Sequence, residues 1–415
     1  MNSDSQTINT FPSISVLIPD GGNYDTLKVL RCLGQIDTVK THIISRSHWP
    51  ISRFSRYCKK SHYHASRNDS DWMDTIRKVV QQWNIDVILP ATMKGIEFLS
   101  QKRKAISEFA AIAPVPEFEM LQIARDKWSF HRFAQEQGLP VIPTIFAAEG
   151  DKINENQSEL ESVEYPALLK PTMEMGGRGI VKIDSSSDFL RLVKHNNILT
   201  TGQRYIIQNY IPGIDYCLGV FCHSGKILAH TLQRDLLLPE HSFGPQKAME
   251  FVHDDRIIEI GTQLVSAMKW EGMAFIDFRI DQRNDKVKLI EVNPRLGRAL
   301  MGSLAAGVNF PLVLCLGALG IRYTDRQRET TRYAHPSAYL HMLRYRLMKR
   351  PTAVKLGWRE SGWRFSVSDP FPDLIDFLRK AADRLQHNIT WKSASRKTAY
   401  DSPMAQKKIN SVGIK

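Results

Sequence analysis

Two β-rich runs, Met273–Ile280 and Val287–Val292, flank the tetrad Gln282-Arg283-Asn284-Asp285, and this pattern constrains the fold more tightly than any other part of the chain. Polar turn residues between apolar runs of this length read as an antiparallel hairpin. If the hairpin centres on Asn284, positions whose numbers sum to 568 face each other, which sets Asp277 opposite Glu291. Cross-strand Cβ atoms lie about 4.5–5.5 Å apart, so two carboxylates are held side by side. Asn293, two residues beyond Glu291, faces the same way. Opposed like charges weaken a hairpin unless something neutralises them. Two readings stay open on geometry alone. One is a divalent cation, since two carboxylates and an amide oxygen suit hard Mg²⁺. The other is a solvated sheet face with incidental acids. Arg295 follows directly, a planar cation able to grip phosphate or carboxylate oxygens.

Upstream, Ala167-Leu168-Leu169-Lys170-Pro171 ends a strand on a lysine, and Gly176-Gly177-Arg178-Gly179 follows. A strand-end lysine and several backbone N–H groups can surround phosphates. A glycine-rich hairpin tip would look the same. No G-x-x-x-x-G-K-[ST] loop occurs. Lys127 opens a helix after Asp126 and reads either as a second phosphate-facing lysine or as an ordinary surface residue. Gln208-Asn209-Tyr210-Ile211, with Asp215 beyond a Pro-Gly turn, could present backbone groups to a base and a carboxylate to a ribose. Arg234 and Lys247 offer a further contact or a solvated strand end. His62-Tyr63-His64 reads as a surface loop, and no Ser-His-Asp or Cys-His constellation is visible.

The first 120 residues alternate strands (Ser13–Ile18, Thr41–Ser45, Ile85–Leu89) with helices (Tyr24–Leu33, Asp71–Trp83), the pattern of a doubly wound parallel sheet. Asp20-Gly21-Gly22 is read as a tight strand–helix turn, with no G-x-G-x-x-G after it. Residues 165–292 are mainly strands with hairpins, a switch to α+β. The charge of +13 is localised: from Arg322 to Lys415 there are 20 basic and 8 acidic residues, while the remainder is nearly neutral. That quarter could meet an anionic partner or be a basic helix with its charges in water. Phe371 to Leu385 is expected to be an amphipathic helix with apolar Leu374, Phe377, Leu378 and Leu385. Five scattered cysteines with no C-x-x-C pair argue against a disulfide framework or a zinc site and fit a reducing cytoplasm. The longest apolar stretch, Phe310–Ile321, is too short to span a bilayer, and the N-terminus lacks a signal-peptide pattern.

In this order, D126-K127, Y165-P-A-L-L-K170-P, G176-G-R-G179, Q208-N-Y-I-P-G-I-D215, F275-I-D277-F and L289-I-E291-V-N293-P-R295 resemble the ATP-grasp superfamily. Carbamoyl-phosphate-synthase-like and D-aspartate-ligase-like carboxylate–amine ligases are the nearest type. The resemblance runs from about Lys127 to Val308. It implies a pre-ATP-grasp α/β domain (1–120) and a two-subdomain ATP-grasp domain (121–321), to which charge and composition add a basic region packed on the ligase (322–390) and a flexible tail (391–415). It further implies ATP with Mg²⁺, or Mn²⁺ in its place. Lys127 and Lys170 would contact phosphates under a loop containing Gly176, Gly177 and Gly179. Gln208, Tyr210 and Ile211 would hold adenine, and Asp215 the ribose. Asp277, Glu291 and Asn293 would bind the metal, and Arg295 would steady the acceptor or its acyl phosphate. The family often has glutamate where Gln208, Asp215 and Asp277 stand. The expected activity is ADP-forming ligation of a carboxylate to an amine, both small molecules. Carbon–sulfur ligation or plain carboxylate phosphorylation would use the same residues. The competing reading is a degenerate binding module that holds an acidic partner through the basic quarter.

Overall fold

The computed structural model describes residues 13–149, 152–153, 155–196, 203–236, 247–297, 299–321, 327–328, 331–348 and 356–383. The proposed tail 391–415 lies outside them. Among the described residues no helix is long and apolar enough to cross a membrane.

The N-terminal strands β1 (Ile14–Ile18), β2 (Val39–Ser45), β3 (Cys58–Tyr63), β4 (Val87–Ile88) and β5 (Ala111–Ile112) form a parallel sheet of order β3-β2-β1-β4-β5. Strand periodicity divides β1 between two cores. Ile14, Val16 and Ile18 join one with Leu30 and Leu33, while Leu17 joins another with Ile76 and Leu99. Helices therefore cover both faces, as a parallel sheet requires. Glycine is needed in the β1 turn because a Cβ on Gly21 would lie 2.5 Å from that of Ile43.

The expected loop at His62–His64 is instead largely strand. Residues 58–63 pair in parallel with β2, and His64 is buried against Trp72, with Thr75 Oγ1 2.9 Å from its Nδ1. Its polar sequence concealed it because β3 is an edge strand, where solvent-facing lysines replace apolar alternation.

A second sheet, antiparallel, comprises β6 (Thr144–Glu149), β7 (Lys152–Ile153), β8 (Ala167–Pro171), β9 (Val181–Ile183) and β10 (Arg204–Asn209), in the order β7-β6-β10-β8-β9. The third has six strands: β11 (Gly213–His223), β12 (Lys226–Asp235), β13 (Ala248–Phe251), β14 (Gly272–Asp281), β15 (Lys286–Asn293) and β16 (Arg332–Ala334). Their order is β15-β14-β11-β12-β13-β16. Leu218, Val220, Ile276 and Phe278 face the helix Asp255–Ala267. On the opposite face Cys217, Phe221, Met273 and Phe275 share one core with the helix Phe310–Ala318 and with Val16 and Leu30 of the first unit. That helix is apolar all round because it is buried between the two units.

Part of the basic C-terminal quarter is built into this body. β16 extends the third sheet, and Asp369 is fully buried. Its Oδ2 accepts from Arg31 Nε at 3.2 Å and Ser55 Oγ at 2.8 Å, and its Oδ1 from the Arg56 N–H at 2.9 Å. A helix over 370–383 follows, but its apolar residues do not pack inward: Phe371, Leu374, Phe377 and Leu378 are all more than half exposed. Instead the junction is held by polar contacts, including Arg31 Nη2 to Asp373 Oδ2 at 2.6 Å. Leu385 lies outside the described residues. Asp369→Ala should cost about 3 kcal/mol, because it leaves Arg31 with Asp373 alone and strips Ser55 and the Arg56 N–H of their buried acceptor. Denaturant unfolding would measure it, and the double variant with Arg31→Ala should recover part of the loss.

Candidate active site

The two carboxylates are brought together, though by a route the simple hairpin count did not contain. From the turn outward the pairs are Asp281↔Lys286, Ile280↔Val287, Arg279↔Lys288 and Phe278↔Leu289. The register then shifts by one, so that Asp277 faces Glu291. Without this bulge at Ile290, Asp277 would face Ile290 and Glu291 would point to the other side of the sheet. Asn293 lies beside both, its Nδ2 2.9 Å from Asp277 Oδ2 and 3.1 Å from Glu291 Oε1.

Burial and the charge of Glu291 push the Asp277 carboxyl up to about 8, with Arg295 acting in the opposite direction. Burial also acts to raise Glu291, but the nearby Lys127, the Asn293 hydrogen bond and Lys170 outweigh it and hold Glu291 below the usual glutamate range. One acid of the pair thus keeps its proton near neutrality unless a cation replaces it. Two adjacent carboxylates and a rotatable amide are a donor set that fits a hard divalent ion. Arg295 Nε is buried and has no hydrogen-bond partner among the described residues. Arg295 lines a narrow cleft with Pro90, Val115 and Met273, at the junction with the N-terminal unit.

The lysines reach this hairpin from the other side. Asp126 caps the helix Lys127–Glu136, its Oδ1 accepting the Ser129 N–H at 2.8 Å. Lys127 Nζ lies 3.3 Å from Glu291 Oε2 and donates to the Glu174 carbonyl at 2.5 Å. It therefore ties the acid hairpin to the loop before Gly176. In that loop Gly176, Gly177 and Gly179 have φ of 68°, 78° and 71°, a left-handed backbone that favours glycine. Lys170, on β8, is buried, and its Nζ donates to Gln208 Oε1 at 2.7 Å. Gln208 Nε2 in turn donates to Thr144 Oγ1 at 3.0 Å. Burial pulls the Lys170 ammonium down to about 8.

Asp215 sits on β11 directly opposite Arg279 of β14. Arg279 chelates it, Nε to Oδ1 at 2.6 Å and Nη2 to Oδ2 at 2.9 Å, while Nη1 donates to the Ile211 carbonyl at 3.0 Å. The Tyr210 ring centroid is 6.0 Å from the guanidinium carbon. Sequence reasoning missed Arg279, although the signal was present: two residues beyond Asp277 in a strand is the same face. It also missed the side chain of Gln208, which meets Lys170. Arg234 is not a solvated strand end. It pairs with Glu250 at 2.7 Å, and Arg332 holds the other oxygen of Glu250 at 2.8 Å, tying three strands together. A second cavity of about 300 Å³, lined by His131, Gln135, Thr144 and Asn209 among others, borders this region through Thr144 and Asn209.

Lys170 carries a measurable signature. Its native-state pKa lies below the ordinary lysine value, so the folded protein bears a penalty that is full below about pH 8 and fades as pH rises towards 10.5. The stability of Lys170→Met relative to the native protein should therefore fall by ~3 kcal/mol across that interval, measured by denaturant unfolding at stepped pH. A flat difference would contradict the burial of a charged Lys170.

A model of the ATP-grasp domain matches residues 124–298. The D-aspartate ligase of Enterococcus faecium (strain Aus0004) is 24% identical over 229 residues, covering 51% of this chain and 54% of that protein. The carbamoyl phosphate synthase large chain of Thermomicrobium roseum is 25% identical over 215 residues, covering 49% of this chain and 20% of that one. The chain thus spans between a fifth and about half the length of these relatives. In fold it is similar to the N5-carboxyaminoimidazole synthetase from Staphylococcus aureus, with a TM-score of 0.61 at 15% identity over 82% of this chain and 87% of that one. The residues that match the ATP-grasp model, 124–298, carry Lys127, Lys170, the glycine loop and the acid hairpin.

Proposed function

We propose that this chain is an ATP- and Mg²⁺-dependent ligase that activates a small carboxylate as its acyl phosphate, releases ADP, and joins the acyl group to an amine. The observation that carries this reading is the bulge-set Asp277–Glu291 pair with Lys127 only 3.3 Å away, next to a buried Lys170 whose hydrogen-bond partner is a neutral amide. An ammonium facing an amide rather than a carboxylate leaves charge available for a polyphosphate. The similar D-aspartate ligase supports carbon–nitrogen bond formation.

In this scheme Lys127 and Lys170 bind the phosphates, and the Gly176–Gly179 loop closes over them with its N–H groups. The segment Gln208–Ile211 meets the base, and Asp215 lies beside the ribose. Asp277, Glu291 and Asn293, its amide turned to present oxygen, would hold Mg²⁺, which supplies charge neutralisation at the β- and γ-phosphates. A substrate carboxylate oxygen attacks the γ-phosphorus and the bond to the β-bridging oxygen breaks, giving acyl phosphate and ADP. The amine then adds to the acyl carbon and expels inorganic phosphate, losing its proton. The chain contributes little covalent chemistry. Its cations are arranged beforehand around the oxygens where charge accumulates, and the clamp holds the reactants in line. Arg295, whose Nε has no hydrogen-bond partner among the described residues, would steady the acyl phosphate. Residues 1–120 would supply the other wall of the acceptor cleft, and 322–390 would brace it.

Glu291→Gln keeps the size of the side chain and removes one charge of the pair. With Mg²⁺, ATP and pooled carboxylates and amines, ADP formation should fall by at least about 10²-fold in the variant, a loss typical of removing a charge-stabilising group. Nucleotides are read by mass spectrometry. Unchanged turnover would reject the metal assignment, and AMP as the product would reject the acyl-phosphate route.

A further inference from the structure

The nucleotide reading above places three acceptors around the nucleoside: the two Asp215 oxygens beside the ribose and, in the 208–211 segment, the Ile211 carbonyl beside the base. In the structure one side chain already engages both Asp215 oxygens and the Ile211 carbonyl. Arg279 uses Nε and Nη2 for the carboxylate and Nη1 for the carbonyl, at 2.6, 2.9 and 3.0 Å. The pairing is not an accident of long, mobile side chains. Asp215 and Arg279 are direct partners in the β11–β14 ladder, and the Arg279 side chain is only 18% exposed.

We infer that Arg279 competes with the nucleoside for its own acceptors, so that the base and ribose are read weakly and the triphosphate carries most of the affinity. The inference rests on the nucleotide reading and deepens it by naming what the site discriminates. Adenosine is recognised through donors, the exocyclic amine and the ribose hydroxyls, and these need free acceptors on the protein. A bidentate guanidinium–carboxylate pair is among the stronger charge-assisted arrangements, and a ligand hydroxyl that displaces it gains little net. Arg279 also adds positive potential at Lys170, which favours a polyphosphate of any identity. The site is then a strong phosphate binder behind a nucleoside pocket plugged by an internal ion pair.

The test is equilibrium binding by calorimetry on the full chain with Mg²⁺, using three probes: adenylyl imidodiphosphate, guanylyl imidodiphosphate and inorganic tripolyphosphate. Removing Arg279 takes away one positive charge and weakens all three, so the readout is each nucleotide's affinity relative to tripolyphosphate. In the native protein the three should lie within about 5-fold of one another. In Arg279→Leu the adenylyl-to-tripolyphosphate ratio should rise about 10-fold, the scale of a hydrogen-bond set restored to a polar ligand, and the guanylyl ratio by a smaller factor, since that probe shares the ribose hydroxyls but not the exocyclic amine of adenine. Arg279→Lys, which keeps the charge but cannot chelate, should move the same way by a smaller factor and serves if the leucine variant does not fold. A native preference of more than 10-fold for the adenylyl probe over tripolyphosphate, or a ratio that falls in both variants, would overturn the inference and make Arg279 a nucleoside-holding residue. Failure of all three probes to bind would instead remove the nucleotide reading itself, and this inference with it.

Discussion

Everything at the centre of this molecule is organised around two carboxylates that repel each other. Asp277 and Glu291 are held face to face by a strand ladder, and neither can move away without breaking it. A folded chain tolerates such a pair only if the surroundings compensate, and here the compensation is distributed. Lys127 leans onto Glu291 from a capped helix, Asn293 bridges the two acids, and Arg295 lies within electrostatic reach of Asp277. Even so, the Asp277 carboxyl remains far above the ordinary aspartate range. Unrelieved repulsion of this kind is a mark of a functional site more often than of a structural one.

The positions of the cations follow from the same constraint. Lys127 opens a helix whose Phe130 and Ala134 pack on the third sheet, Lys170 stands on β8 of the second, and both act on Glu291 of the acid hairpin. Lys170 differs from Lys127 in meeting a neutral amide, with Gln208 and Thr144 forming a short chain of hydrogen bonds behind it. Arg279 is the opposite case, a guanidinium fully engaged by Asp215 and the Ile211 carbonyl. One cation thus faces a neutral amide while another is chelated by a carboxylate within the protein. The difference lies in which residue stands across the strand.

Much of the architecture was legible beforehand. Tyr24–Leu33 is a helix with the bounds that its apolar spacing indicated, and the alternation of strands and helices before residue 120 marked a doubly wound sheet. The hairpin was readable from strand period and turn composition, and a count centred on Asn284 reached the Asp277–Glu291 pair although the ladder arrives there through a register shift. The failures have physical causes too. β3 was overlooked because an edge strand needs no apolar alternation. The helix over 370–383 shows the spacing of an amphipathic helix, yet polar contacts through Asp369 and Asp373 dock it and leave the apolar stripe outward. Periodicity reports that a helix has a face; it does not report whether anything covers that face.

The sequence by itself determined the local chemistry: which residue types sit on which strands, where the glycine loop interrupts, and where the acid-bearing hairpin turns. These follow from short-range geometry, a period of two in strands and fixed turn lengths. The tertiary structure alone decided the partners. A one-residue bulge at Ile290 put Glu291 on the Asp277 side, a matter of ladder register that no count of residues supplies. Contact between Lys127 and Glu291, 164 positions apart, depends on how a helix packs against a distant hairpin. The Asp215–Arg279 chelate arises because β11 pairs with β14 and not with β13. Long-range pairing of this sort is set by the total burial of both sheet faces, which belongs to the whole chain and to no segment of it.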